Sequence, residues 1–194
     1  MPRRGARAAC ALCGVLLLAA PLVAQQPEIH KDVPFVPTPP DVVEAMLKLG
    51  GVKQGDVLYD LGCGDGRIVV MAAQKFGARG TGIDIDPARI REARENARQA
   101  GVTDRVRFLR QNLFDADVHD ATIVTLYLLP DVNLKLRPIL LRQLKPGTRI
   151  VSHQFDMGDW QPDKKIDLDW RTIYLWTVTA KAKAEFGKAA VTSQ

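Results

Sequence analysis

Little in this sequence can hold a metal ion or a disulfide. The 194 residues include three histidines and three cysteines. His30, His119 and His153 are scattered, with no pair at a ligand spacing such as His-x-x-x-His, which argues against a metal centre. Cys10 and Cys13 fall within the first 24 residues; once that segment is removed, Cys63 stands alone and no internal disulfide can form. No uncharged apolar run reaches the roughly 20 residues of a spanning helix, so no stable membrane span is expected in the mature chain. Repeats and low-complexity tracts are missing, which leaves one ordinary domain. Basic excess is missing too: Arg3, Arg4 and Arg7 supply three of the five net positive charges, so the rest of the chain carries only +2. That balance excludes a nucleic-acid-binding surface of the usual basic kind.

What is present begins with a leader. Arg3, Arg4 and Arg7 precede the uncharged stretch Ala8–Ala20, and "PLVA" before Gln25 offers cleavage after Ala24. Residues 1–24 therefore read as a signal peptide and the chain as exported, periplasmic or secreted. An uncleaved anchor and an organelle-targeting peptide are the alternatives. Residues 25–40, Gln25 followed by "QPEIHKDVPFVPTPP", are proline-rich and aperiodic, an extended lead-in to a domain over 41–180. Residues 181–194 are small and polar, a disordered tail by composition.

Between these ends, strand-like and helix-like segments alternate. "PDVVEAMLKLGG" places Val42, Val43, Met46, Leu47 and Leu49 on one helical face. "DVLYDL", "RGTGIDI", "RVRFLRQ", "ATIVTLYL", "TRIVSHQF" and "TIYLWTVTA" read as strands. "GRIVVMAAQKFG", "DPARIREARENARQAG" and "DVNLKLRPILLRQLKPG" read as helices, the last with a kink expected at Pro138. Asp86 and Pro87 fit the N-cap and first position of their helix. Such alternation implies right-handed crossovers and a fold of the α/β class: a single doubly wound, Rossmann-like, mostly parallel sheet with helices on both faces. Ligands of such sheets bind beyond the carboxyl ends of the strands, where strand order reverses.

The segment "LYDLGCGDGRIVVMAA" lies at such a place. Gly62, Gly64 and Gly66 allow positive φ and close approach to a ligand. The dinucleotide fingerprint G-x-G-x-x-G is not met, since Arg67 holds its last position. The pattern is D-x-G-x-G-x-G, with Asp60 before the loop and Asp65 within it. Two acids repel a pyrophosphate but suit a cationic ligand with an amino acid moiety. Asp84 follows Gly64 by 20 residues and ends the second strand, where a carboxylate takes both ribose hydroxyls. This combination favours S-adenosylmethionine (SAM) over NAD or ATP.

"YDLGCGDGRIV" and "GIDIDP" resemble motifs of the class I, seven-strand SAM-dependent methyltransferases, over roughly residues 33–180. "VPFVPTPPDVVEAML" and "TLYLLPDVNLKLRPILLRQLKPGTRIVSHQFDMGDW" are similar to the branch of small lysine methyltransferases that modify the ATP synthase c-subunit and the adenine nucleotide translocase, and to its bacterial relatives. The resemblance implies that Gly62, Cys63, Gly64 and Gly66 pass the methionine portion, with Asp60 near its amino group. It implies further that Asp84 binds the ribose, that Ile85 lies against the adenine, and that Asn112 and Leu113 N–H hydrogen-bond its edge. "YLLP" occupies the substrate-facing slot, with Tyr127 and Pro130 as catalytic candidates and Phe35, Pro37 and Thr38 as a lid. Cys63 departs from the serine common in the class. The leader departs more seriously, because SAM is made in the cytoplasm.

The implied activity is methyl transfer to a nitrogen nucleophile, a protein lysine side chain first, with a protein as partner and SAM as cofactor. A small-molecule methyltransferase and an exported SAM-binding protein without catalysis are the alternatives. The arginines of "ARIREARENAR" interleave with Glu92 and Glu95, which reads as a solvated face. Trp160, Trp170 and Trp176 read as packing residues.

Overall fold

A computed structural model of the chain describes residues 35–188. The signal expected over 1–24 lies outside the described residues. The strands β1 (Val57–Leu61), β2 (Arg79–Asp84), β3 (Val106–Arg110), β4 (Ile123–Leu126), β5 (Arg149–His153), β6 (Lys164–Leu168) and β7 (Arg171–Thr177) form one sheet in the order β3-β2-β1-β4-β5-β7-β6. The first five pair in parallel, whereas β7 runs antiparallel to both β5 and β6. The helices are α1 (Pro40–Leu49), α2 (Arg67–Phe76), α3 (Pro87–Gln99), α4 (Pro130–Gln143) and α5 (Ala180–Phe186). Every segment expected as a strand or helix forms that element, and the sheet is doubly wound.

Alternation along each central strand divides the core in two. Leu58, Ile123 and Val151 face α1, α2 and α3, packing with Val43, Met46, Val69 and Ala93. Tyr59, Leu61, Val124, Leu126 and Ile150 face α4 and α5, packing with Leu136, Leu140 and Trp176. Both faces are apolar because both are covered. Of the α1 stripe, Val42, Val43, Met46 and Leu47 are buried. Asp86 caps α3 by accepting the Ala88 N–H at 2.8 Å, with Pro87 at the first helical position.

Two details differ from the sequence reading. The strand β6 has no counterpart in it: four of its five residues are exposed, so no buried alternation marks it. The expected disordered tail begins as helix α5, where Thr179 accepts the Ala182 N–H at 3.0 Å and Ala182 is buried in the cluster that α4 also joins. Composition hides this helix because a seven-residue amphipathic turn is stabilised by docking, not by propensity. Helix α4 contains Pro138, the position where the kink is expected. Among the described residues no helix is long and apolar enough to cross a membrane.

Candidate active site

Strand order reverses at β1, where β2 and β4 flank it on opposite sides. A cavity of about 270 Å³ opens beyond the carboxyl ends of these three strands. Of the residues singled out from the sequence, Asp60, Gly62, Cys63, Gly64, Asp84, Ile85, Asn112, Leu113 and Tyr127 line it, as do Phe35, Pro37 and Thr38. Gly66 and Pro130 do not. Gly66 is the N-cap of α2 at φ 77, and a Cβ there would meet Phe108 and Ala93, so this glycine serves the packing of α2 against α3 and β3. Pro130 opens α4 and is exposed.

The glycine loop is fixed from below. Gly62 and Cys63 N–H groups donate to Ile83 O at 2.8 and 3.0 Å, and Gly64 N–H donates to Asp84 Oδ2 at 2.9 Å. Asp86 N–H donates to Asp84 Oδ1 at 2.9 Å. Each Asp84 oxygen thus holds one backbone donor and keeps a second lone pair for a ribose hydroxyl. Asn112 Oδ1 accepts Phe114 N–H at 3.0 Å, opening a short 3₁₀ turn over Leu113–Asp115 that carries the far wall. Cys63 is buried, and burial together with the nearby Asp60 pushes its thiol pKa well up, so it acts as a small neutral lining group.

Asp60 supplies the floor's charge. It ends β1 almost fully buried, and its one hydrogen-bond partner among the described residues is the Thr125 hydroxyl, at 2.7 Å. Burial, followed by the neighbouring Asp84 and Asp65 charges, lifts its pKa to about 7 against the Thr125 bond. A buried carboxylate without a cation is expensive. The cationic amino acid portion of SAM is the partner this position lacks. Asp65, grouped with Asp60 in the sequence reading, is not available: it pairs with Arg67, whose Nε lies 2.9 Å from Oδ1 and whose Nη2 bonds Oδ2.

Arg67 was missed from the sequence, although a cation in the first turn of a helix opposes the macrodipole and signals another duty. That duty is visible: its Nη1 donates to Thr38 O at 2.9 Å and ties the lead-in over the pocket. Arg89, read as part of a solvated face, instead stacks over Phe35 at 4.6 Å. Phe155 and His153 were missed as well. Phe155 lines the cavity and stacks with Tyr127 at 6.5 Å, and the His153 ring lies 4.0 Å from Tyr127. His153 ends β5, and the placement of Phe155 depends on the loop after it, where Gln154 takes a positive φ that no motif announces. Of the tryptophans, Trp160 and Trp176 are core residues and Trp170 is exposed. Among the described residues no cluster of His, Cys, Asp or Glu could hold a metal ion.

The floor, ribose acid and adenine slot therefore fit SAM on their own chemistry. Comparison with known proteins agrees. Residues 60–164 match the ANTKMT methyltransferase domain family. A protein-lysine N-methyltransferase of Saccharolobus islandicus is 45% identical over 151 residues, covering 75% of this chain and 94% of that protein. The human lysine N-methyltransferase of the ATP synthase c-subunit is 30% identical over 164 residues, covering 82% of this chain and 69% of that one. Among solved structures, an RNA methyltransferase from Salinibacter ruber in complex with S-adenosyl-L-homocysteine (SAH) superposes with a TM-score of 0.74 at 59% identity, covering 75% of this chain and 95% of that one. Glycine loop, buried acid, ribose carboxylate and kinship agree, and the chain belongs to the ANTKMT methyltransferase domain family, as a SAM-dependent methyltransferase of class I fold.

Proposed function

We propose that the chain methylates the ε-nitrogen of a protein lysine. The observation that carries this reading is the composition of the cavity's acceptor side. Tyr127, Leu128, Leu129 and Phe155 line it, an aromatic and apolar wall facing the acid-floored cofactor half. The names borne by the Saccharolobus and human relatives support the same acceptor class.

SAM, when bound, supplies an activated methyl group on a sulfonium. The chain's part is to hold a neutral nucleophile in line with it. A free lysine, with a pKa of about 10.4, loses its proton at pH 7 at a cost of roughly 4–5 kcal/mol. An apolar wall disfavours the ammonium and lowers that cost. Leu128, almost fully buried, and the ring of Phe155 exclude water from this side, while the Tyr127 hydroxyl orients the amine. His153 beneath Tyr127 adds no positive charge, because burial, with Arg171 nearby, holds its pKa at about 4. The described residues place no carboxylate–histidine pair on this wall, so deprotonation precedes docking and solvent takes the proton. Export of the mature enzyme by residues 1–24 is part of the same proposal.

The test is incubation of the purified protein with methyl-labelled SAM and a fractionated extract, followed by mass spectrometry. Label on lysine ε-nitrogen is expected. The Salinibacter structure bears the name of an RNA methyltransferase, so ribonuclease-sensitive label is the outcome that replaces lysine with RNA. Label on small molecules or carboxyl groups likewise overturns the reading.

A further inference from the structure

His153 is an unusual residue to find at the last position of β5. It is 1% exposed, its Nε2 has no hydrogen-bond partner among the described residues, and its neighbours include the Tyr127 ring. An unmade hydrogen bond in the interior is destabilising, and an apolar ring would fill the same space without it. Packing alone therefore does not account for an imidazole. Its one polar partner does: Nδ1 lies 3.2 Å from the hydroxyl of Thr38, which is 115 residues away in sequence and itself buried.

Thr38 belongs to the strap Phe35–Thr38, which roofs the cofactor half of the cavity. At one end of the strap Phe35 presses on the glycine loop, since a Cβ on Gly64 would stand 2.3 Å from the Phe35 ring. Arg89 covers the outer face of that ring, and Arg67 holds the carbonyl of Thr38. Those ties all run to the cofactor side. The Thr38–His153 hydrogen bond is the tie that runs to the acceptor side, where the imidazole underlies Tyr127.

We propose that His153 is a positioning residue with two separable duties: its Nδ1 anchors the strap through Thr38, and its ring is the platform that sets Tyr127 at the acceptor wall. Strap closure over the cofactor and the placement of Tyr127 are then one event, and a closed roof accompanies a formed acceptor wall. The second duty rests on the lysine reading; the first does not. The neutral state of the imidazole, held by burial, suits both duties, since the hydrogen bond to a hydroxyl needs no charge and a cation beneath Tyr127 would oppose the sulfonium.

The experiment separates the duties by substitution. Thr38→Val and His153→Phe remove the tie but keep the shapes and the ring; His153→Gln keeps a hydrogen-bonding group toward Thr38 but removes the ring. Stopped-flow release of SAH and hydrogen exchange at residues 35–39 read the tie without any methyl acceptor. Thr38→Val and His153→Phe should each speed SAH release on the order of 3- to 10-fold, the loss of one interior hydrogen bond. The double variant should be no faster than either single one, because both remove the same bond. Thr38→Ser should restore the slow rate. His153→Gln should keep slow release but lower kcat, with acceptor KM little changed. SAH release at the wild-type rate in Thr38→Val and His153→Phe, with both variants melting cooperatively, overturns the anchor. Wild-type kcat in His153→Gln overturns the platform. A wild-type enzyme that modifies no lysine sinks the acceptor assignment alone, since the release rates still decide the anchor.

Discussion

The Gly64 amide donates to the Asp84 carboxylate at 2.9 Å, joining the glycine loop after β1 to the end of β2. One oxygen of Asp84 thus fixes the loop and the other, through Asp86 N–H, fixes the start of α3. The carboxylate expected to bind the ribose is held in place by the glycine loop and by the start of α3.

Asp84→Ala removes the carboxylate expected to meet two ribose hydroxyls and releases the loop as well. SAM and SAH affinity should fall by about 2–4 kcal/mol, from unpaired donors in the binding site. Isothermal titration checks this, and wild-type affinity in the variant would show that the ribose binds elsewhere.

Proton linkage at Asp60 has a definite sign. Its folded pKa is raised from the usual 3.8 to about 7. The stability it contributes is therefore fully present below the lower value, declines as pH rises, and is lost above about 7. Asp60→Asn stays neutral and should stabilise the ligand-free protein at pH 8, by about 2–4 kcal/mol at roughly 1.4 kcal/mol per pKa unit. SAM needs the carboxylate, so its binding to the wild type should tighten as pH rises through about 7 and release a proton below that. Titration at pH 6.5 in two buffers of different ionisation heat measures that proton. Identical heats would mean that Asp60 is already ionised in the free protein.

Gly64 holds φ +52 directly beneath Phe35. Gly64→Ala should weaken SAH binding at least tenfold, since the new methyl group collides with the ring and the backbone resists an L side chain there. Adding Phe35→Ala relieves the collision and should recover part of the loss. A double variant no better than Gly64→Ala would assign the whole effect to the backbone.

Tyr127 makes aromatic ring contacts with His153 and Phe155. Tyr127→Phe keeps those contacts and loses only the hydroxyl. Turnover should drop while SAM affinity stays within about twofold; a matched fall in both would move Tyr127 from the acceptor wall to the cofactor site. The size expected for turnover is about tenfold, one oriented hydrogen bond.

Export is tested by fusing residues 1–30 to a reporter active only outside the cytoplasm. Signal is expected, and recovery of the protein in the cytoplasm with Met1 retained would refute it.

Much of this protein is determined locally. The β1 run "VLYDL", the glycines after it and Asp84 at the end of the next strand are features of adjacent residues, because strand periodicity, positive φ and capping are set within a few positions. Strands β1 and β2, β2 and β3, and β4 and β5 are neighbours in sequence and in the sheet, whereas the passage from β3 across β2 and β1 to β4 is decided by the tertiary structure. The edge strand β6 and the docked helix α5 were not legible, since solvent exposure and short length leave no pattern until β7 and α4 provide a partner. The site divides in the same way. Asp60, Gly64 and Asp84 could be named from spacing, but only the tertiary structure decided that Asp65 belongs to Arg67, that Gly66 faces α3 and β3, and that Pro130 stands outside the cavity. It alone brought Thr38 to His153 across 115 residues and set Phe155 beside Tyr127. Contacts of that kind depend on where separate elements come to rest on the sheet, and that position comes from packing of the whole core, which no short stretch of sequence encodes.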